Sequence, residues 1–225
     1  MLYNEEELAE GQQTQVSMRG RLITFEGIDG SGKSTQIERL SARLDAEGKK
    51  VRVLREPGGT QIGEAIRRIL LDKKHTGMCM ETELLLFAAA RAQLVREVIL
   101  PDLEKGKWVI CDRFFDATAA YQGYGRSLDQ TMVRSLNELA IGTCWPDMTI
   151  LLDLPVESAQ NRLSGRRHKQ DRFDQESLSF MQRTRDGYLR LAAAEPERIA
   201  VLNAEQPEEE LAVQIYHIIR EGLST

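Results

Sequence analysis

A chain of 225 residues with 41% apolar content can bury one substantial core, so a single domain is the expectation. Lys and Arg number 30 against 35 Asp and Glu, a formal charge of -5, which argues against a broad basic footprint for nucleic acid or an anionic membrane and leaves phosphate recognition to local sites. The three cysteines, Cys79, Cys111 and Cys144, are widely separated, suggest neither a disulfide framework nor a CxxC metal or redox site, and fit a reducing cytoplasm.

Residues 1–18 are acidic and polar. They lack the basic start and apolar middle of an export signal and read as a disordered tail. From residue 19 to 225 short β-rich runs follow one another: RLITFEG near 21, VRVLRE near 51, WVICDR near 107, MTILLDL near 148 and RIAVLN near 198. Between them, helical patterns are predicted over Gly32 to Glu47, Gln61 to Leu71, Thr82 to Lys105, Asp129 to Gly142, Val156 to Leu163 and Asp174 to Ala194, with Glu208 to Glu221 last. This βαβ rhythm predicts an α/β fold, a five-stranded parallel sheet between two helical layers. Gly48, Gly106 and Gly142 stand just past helical stretches, where a residue without Cβ can adopt a left-handed cap. The longest apolar run, Leu84 to Ala90, stops at Arg91, far short of the roughly 18 to 20 residues that span a bilayer.

Gly27-Ile28-Asp29-Gly30-Ser31-Gly32-Lys33-Ser34 matches GxxxxGK[ST], directly after a predicted strand and at the start of a helix, with Thr35 next in the chain. The glycines let backbone N–H groups turn inward around phosphates, and the helix start adds its partial positive charge. Lys33 is placed to reach the β and γ phosphates of ATP, and Ser34 offers a hydroxyl oxygen suited to Mg²⁺. The motif identifies a nucleoside triphosphate site. It does not by itself separate kinase from GTPase or ATPase.

Arg55-Glu56-Pro57-Gly58-Gly59-Thr60 follows the second strand, and Asp112-Arg113-Phe114 ends the third. Both segments fall at carboxyl ends of parallel strands, where open α/β sheets bind ligands. FEGIDGSGKST, REPGGT, FAAARAQL and DRFFDATAAYQG, in this order and spacing, resemble bacterial thymidylate kinases, and the resemblance runs from Arg19 onward. It implies a P-loop kinase fold and transfer of a phosphoryl group from ATP to dTMP. It further implies that Phe87 stacks on the thymine ring and that Arg91, one helical turn on, bonds O4. Periodicity alone would leave Phe87 in the core and Arg91 solvated.

By the same resemblance Arg67 and Arg113 hold the 5′ phosphate of dTMP. Asp29 lies between donor and acceptor, Glu56, Pro57, Thr118, Tyr121 and Gln122 line the acceptor pocket, and Asp112 helps to organise Mg²⁺. The family often has serine where this chain has Ala117, a difference of one hydroxyl at the pocket.

Gly165 to Arg172 is a basic cluster in an otherwise acidic chain. The loop has Gly30 rather than an arginine, resembling the class in which an arginine-rich lid near residues 164–174 stabilises the moving phosphoryl group. Arg167, then Arg166 and Arg172, are the lid candidates and His168 is a spectator; the resemblance further implies that Arg162 stacks on adenine, with residues 203–207 on the adenine side. The resemblance also implies a homodimer. Three other readings are weighed on sequence: a nucleotide kinase with another acceptor, such as another pyrimidine monophosphate (dCMP), AMP or a deoxynucleoside; a GTP-dependent switch, which would normally carry an Asn-Lys-x-Asp guanine-reading motif that this sequence lacks; and a catalytically dead nucleotide-binding scaffold, against which Lys33, Ser34, Asp112 and Arg113 are all present.

Overall fold

A computed structural model of the chain describes residues 19–164, 172–173 and 176–223. The expected tail at 1–18 lies outside them. Five strands, β1 (Leu22–Glu26), β2 (Val51–Arg55), β3 (Trp108–Asp112), β4 (Met148–Asp153) and β5 (Ile199–Asn203), form one sheet in the order β2-β3-β1-β4-β5. Every neighbouring pair is parallel. The predicted three-layer α/β/α architecture is therefore observed, with strands where their apolar runs placed them.

All of β1 is buried, because helices cover both faces of the sheet and a central parallel strand has no solvent side. Alternation along the strands sorts the core into two layers. Ile23, Phe25, Ile110, Ile150 and Leu152 pack on one face with Ile37, Leu40 and Leu44 of α1 (Lys33–Ala46) and Ile215 and Ile219 of α9 (Glu208–Leu223). Leu22, Val109 and Cys111 pack on the other with Leu94 of α3 (Met80–Leu94) and Leu103 of α4 (Leu100–Glu104). The spacing of Ile37, Leu40 and Leu44 is that of one helix face.

The remaining helices are α2 (Gln61–Leu71), α5 (Phe115–Thr118), α6 (Gln130–Ile141), α7 (Val156–Ser164) and α8 (Leu178–Ala194). Two segments depart from the expected pattern. The stretch predicted as one helix to Lys105 contains a π-helical turn at Val95–Ile99, with Leu100 N–H donating to Val95 O. It precedes Pro101 in the first turn of α4, whose missing N–H would interrupt an α-helical ladder. After β3, α5 runs into a second π-helical segment, Ala119–Gly125, where Arg126 N–H donates 2.9 Å to Tyr121 O. No helix was expected there. Gly48, Gly106 and Gly142 take positive φ values of 78°, 74° and 58° at the expected helix ends. Helix α8 starts at Leu178 rather than Asp174, capped by Ser177, whose Oγ accepts from Phe180 N–H. No described helix is long and apolar enough to cross a membrane.

Candidate active site

The phosphate loop leaves β1 through Gly27 at φ +132° and enters α1 through Gly32 at φ +94°. A Cβ on Gly27 would lie 2.5 Å from Leu152 O, whereas one on Gly32 would meet open space. The first glycine thus serves close packing and the last serves a left-handed turn with an unobstructed side. Helix α1 has no side-chain N-cap and no acidic residue in its first turn. Its leading N–H groups are left for an anion.

Lys33 is 6% exposed and its Nζ donates to Gly27 O at 3.0 Å and Ile28 O at 3.1 Å. Burial, and then the charge of Arg113, push its pKa down to about 8 against the pull of Asp29, Asp112 and Glu26. Ser34 Oγ donates to Asp112 Oδ2 at 3.3 Å. Arg162 of α7 donates to Gly30 O at 3.3 Å and to Ala204 O at 2.8 Å, joining the loop to the segment after β5.

Beside this loop lies an open cleft. The sequence candidates Asp29, Glu56, Pro57, Arg67, Phe87, Arg91, Arg113, Thr118, Tyr121 and Gln122 all line it. Ala117 does too, so the position that differs from the usual serine is a wall of the cleft.

Arg113 joins the loop to the cleft. It occupies a left-handed backbone conformation, φ +69°, which is unfavourable for a side chain of this size. The surroundings hold it there: Arg113 N–H donates to Phe25 O, Phe114 N–H donates 2.7 Å to Glu26 Oε1, and Glu26 Oε2 accepts from the Tyr188 hydroxyl. Burial and the neighbouring Asp116 carboxylate raise Glu26 to about 8. The guanidinium donates 2.8 Å to Asp29 Oδ1 on the loop and 3.0 Å to the Tyr121 hydroxyl on the cleft wall.

Arg91 is 1% exposed and highly committed to the protein. It donates to Glu56 Oε2, Asn137 Oδ1, Phe114 O and Thr118 Oγ1 at 2.8 to 3.1 Å. Burial raises the Glu56 carboxyl above its usual range even though Arg91 opposes it, and Glu56 Oε1 has no partner among the described residues. Arg67 donates 2.8 Å to Pro57 O.

Phe173 lines the cleft, while Glu83 and Asn137 accept from the lining residues Gln122 and Arg91; none of the three was singled out from sequence. Phe173 lies 6.0 Å from the Phe87 ring and 6.1 Å from the Tyr121 ring. Its signal was an aromatic beside the basic cluster. Glu83 stands one helical turn before Phe87, at the spacing that already linked Phe87 to Arg91. Arg172 is held beside the cleft, donating to Leu70 O at 2.9 Å and to Glu83 Oε2 at 2.5 Å. The lid candidates Arg166 and Arg167, with His168, lie outside the described residues.

A parallel sheet in this strand order, a glycine loop opening on an uncapped helix, and an arginine-lined cleft one residue contact away define a P-loop kinase of nucleotides. The family model described as thymidylate kinase matches residues 25–215. A thymidylate kinase of Citrifermentans bemidjiense is 48% identical over 211 residues, covering 92% of this chain and 94% of that protein. Those of Desulfovibrio desulfuricans and Cupriavidus necator are 50% and 54% identical, covering 85% and 83% of this chain and 91% of each relative. The chain belongs to the thymidylate kinase family, and it is a phosphotransferase of the nucleoside monophosphate kinase type.

Proposed function

We propose that the enzyme transfers the γ-phosphoryl group of ATP to dTMP, giving dTDP and ADP, with the donor on the phosphate loop and the acceptor in the cleft. The observation that carries this reading is Arg113, whose guanidinium touches Asp29 on the loop and Tyr121 in the cleft at once. An acceptor phosphate held by Arg113 and Arg67 would therefore meet the end of a nucleotide cradled by residues 27–35. Phosphoryl transfer asks a protein chiefly for such positioning and for stabilisation of charge.

In this scheme Lys33 exchanges its two carbonyl acceptors for phosphate oxygens, and Asp29 orients Arg113 beside the acceptor. Phe87 stacks on the base; Arg91 supports the O4 edge with Thr118; Glu56, Pro57, Tyr121 and Gln122 complete the pocket. Arg162 serves the adenine end in this scheme, a role supported by its bond to Ala204 O in the segment after β5.

Magnesium fits the hard oxygens of Ser34 and Asp112, which lie 3.3 Å apart. Among the described residues no group of three or more His, Cys, Asp or Glu forms a protein-only metal cage, which suits a cation shared with the nucleotide. Bound there, it would neutralise charge on the β and γ phosphates. A cytoplasmic homodimer completes the reading.

The competing acceptor is another pyrimidine monophosphate. A coupled ADP-release assay over dTMP, dUMP, dCMP and AMP separates the two. We expect dTMP to be best and dUMP measurable, because it lacks only a methyl worth about 1 to 3 kcal/mol. Little turnover is expected on dCMP, whose exocyclic amine meets guanidinium donors. A preference for dCMP would refute the assignment.

A further inference from the structure

Behind the cleft wall, a buried charge faces the side chain of Gln122. Glu83 of α3 is 1% exposed. Its carboxylate accepts from Gln122 Nε2 at 2.8 Å and from Arg126 Nε and Nη2 at 3.2 Å each, besides the bond from Arg172. Burial pushes this carboxyl up, but hydrogen bonds from Arg126 and Gln122 and the nearby arginine charges outweigh it and hold Glu83 below the usual carboxylate range. An ionised carboxylate only accepts hydrogen bonds. Gln122 must then turn its NH₂ toward Glu83, and the half of the amide left for a ligand is the carbonyl oxygen. Thr118 is not fixed in this way: its Oγ1 accepts from Arg91 at 2.9 Å, which leaves both its hydroxyl hydrogen and a second lone pair for a ligand.

We propose that Glu83 is a positioning residue for base selection: by fixing Gln122 as an acceptor, it makes the cleft read the N3–H donor of a 2,4-dioxopyrimidine and reject cytosine, whose N3 is itself an acceptor. The inference rests on the proposal that the acceptor nucleotide occupies this cleft. A buried site built to pair with one polar pattern discriminates strongly against the inverse pattern, because both partners are left unpaired.

The test is steady-state kinetics on dTMP and dCMP for the wild type and for Glu83→Gln, in which the new amide can donate or accept and no longer dictates which way Gln122 faces. The expected result is a rise of about tenfold in KM for dTMP, kcat within about twofold, and a fall of at least about tenfold in the dTMP-to-dCMP ratio of kcat/KM. Pairing Glu83→Gln with Gln122→Glu again sets an amide donor against an ionised acceptor and should recover most of that ratio. If Glu83 merely neutralises Arg126 and Arg172, the variant will lose thermal stability while both substrates shift alike. An unchanged ratio in a wild-type enzyme that prefers dTMP overturns the inference and leaves the acceptor assignment standing. A wild type that prefers dCMP overturns both. NMR of the Gln122 side-chain amide in the wild type with dTMP bound needs no variant: NH₂ facing Glu83 supports the inference, and an amide nitrogen hydrogen-bonded to the base ends it.

Discussion

Lys33 shows how burial converts an ordinary side chain into a pH-dependent contact. Its ammonium is lost as pH rises through about 8 in the free enzyme, because the pocket disfavours the charge and Arg113 repels it. Triphosphate favours the charged form, so nucleotide binding should raise this pKa. At about pH 8.5 ATP binding is expected to take up a proton, and near pH 6.5 this group should contribute almost none. Calorimetry in buffers of differing ionisation enthalpy measures the uptake, and its absence at the higher pH would show that Lys33 does not meet phosphate. At this scale the phosphate loop was legible because its eight residues are contiguous and their spacing is the mechanism. The strand-end rule pointed to residues 55–60 and 112–114, but it took resemblance to a family to gather Arg67 and Phe87 with them into the cleft they line, since a lone Arg67 or Phe87 carries no local sign of its place there. Glu83 and Asn137 escaped because their meaning lies in partners 39 and 46 residues away, Gln122 and Arg91 respectively.

At the scale of elements, the strands were readable because buried parallel strands are short apolar runs, and the helix ends because glycine caps mark them. The π-helical segment at Ala119–Gly125 was not readable, since its wider turn comes from packing against α8 and leaves no periodic signature. Its glycines record that packing: a Cβ on Gly125 would lie 2.7 Å from Thr184 Oγ1 and 2.8 Å from the Phe180 ring. Gly125→Ala should therefore destabilise the enzyme by about 1 to 3 kcal/mol through overpacking, measured as a lower urea midpoint. Because Tyr121 and Gln122 sit in the same segment, KM for dTMP should rise more than kcat falls. Gly77→Ala is the control, with nothing within 4 Å of the added Cβ and neither quantity expected to move. Equal midpoints for the two variants would mean that this segment is not tightly packed.

At the scale of the whole molecule, helix α3 presents two faces, and only one of them is packed within the monomer. Glu83, Phe87 and Arg91 recur every fourth residue on one face, where Phe87 and Arg91 line the cleft and Glu83 holds Gln122 behind its wall. Half a turn away, Leu85, Ala89, Ala92 and Arg96 form a second stripe, along which Leu85 is 54% exposed and Ala89 is exposed. Arg96 extends the stripe to α6 by donating to Leu139 O and Ala140 O, and Leu139 is 71% exposed. An apolar stripe left exposed on a helix can mark a contact surface, and small residues such as Ala89 and Ala92 permit close approach of another helix. The proposed homodimer would bury this stripe against its symmetry mate, an isologous contact. Light scattering should then report two protomers for the wild type and one for Ala89→Arg, with helical content unchanged because the substitution is on an exposed helix surface. The cleft lies on the opposite face of the same helix, so loss of the dimer should raise KM for dTMP while leaving ATP affinity, which depends on α1 and the phosphate loop, nearly constant. A wild-type monomer would remove the dimer from the scheme, and a monomeric variant with unaltered KM would show that each α3 holds its acceptor face without help from a partner.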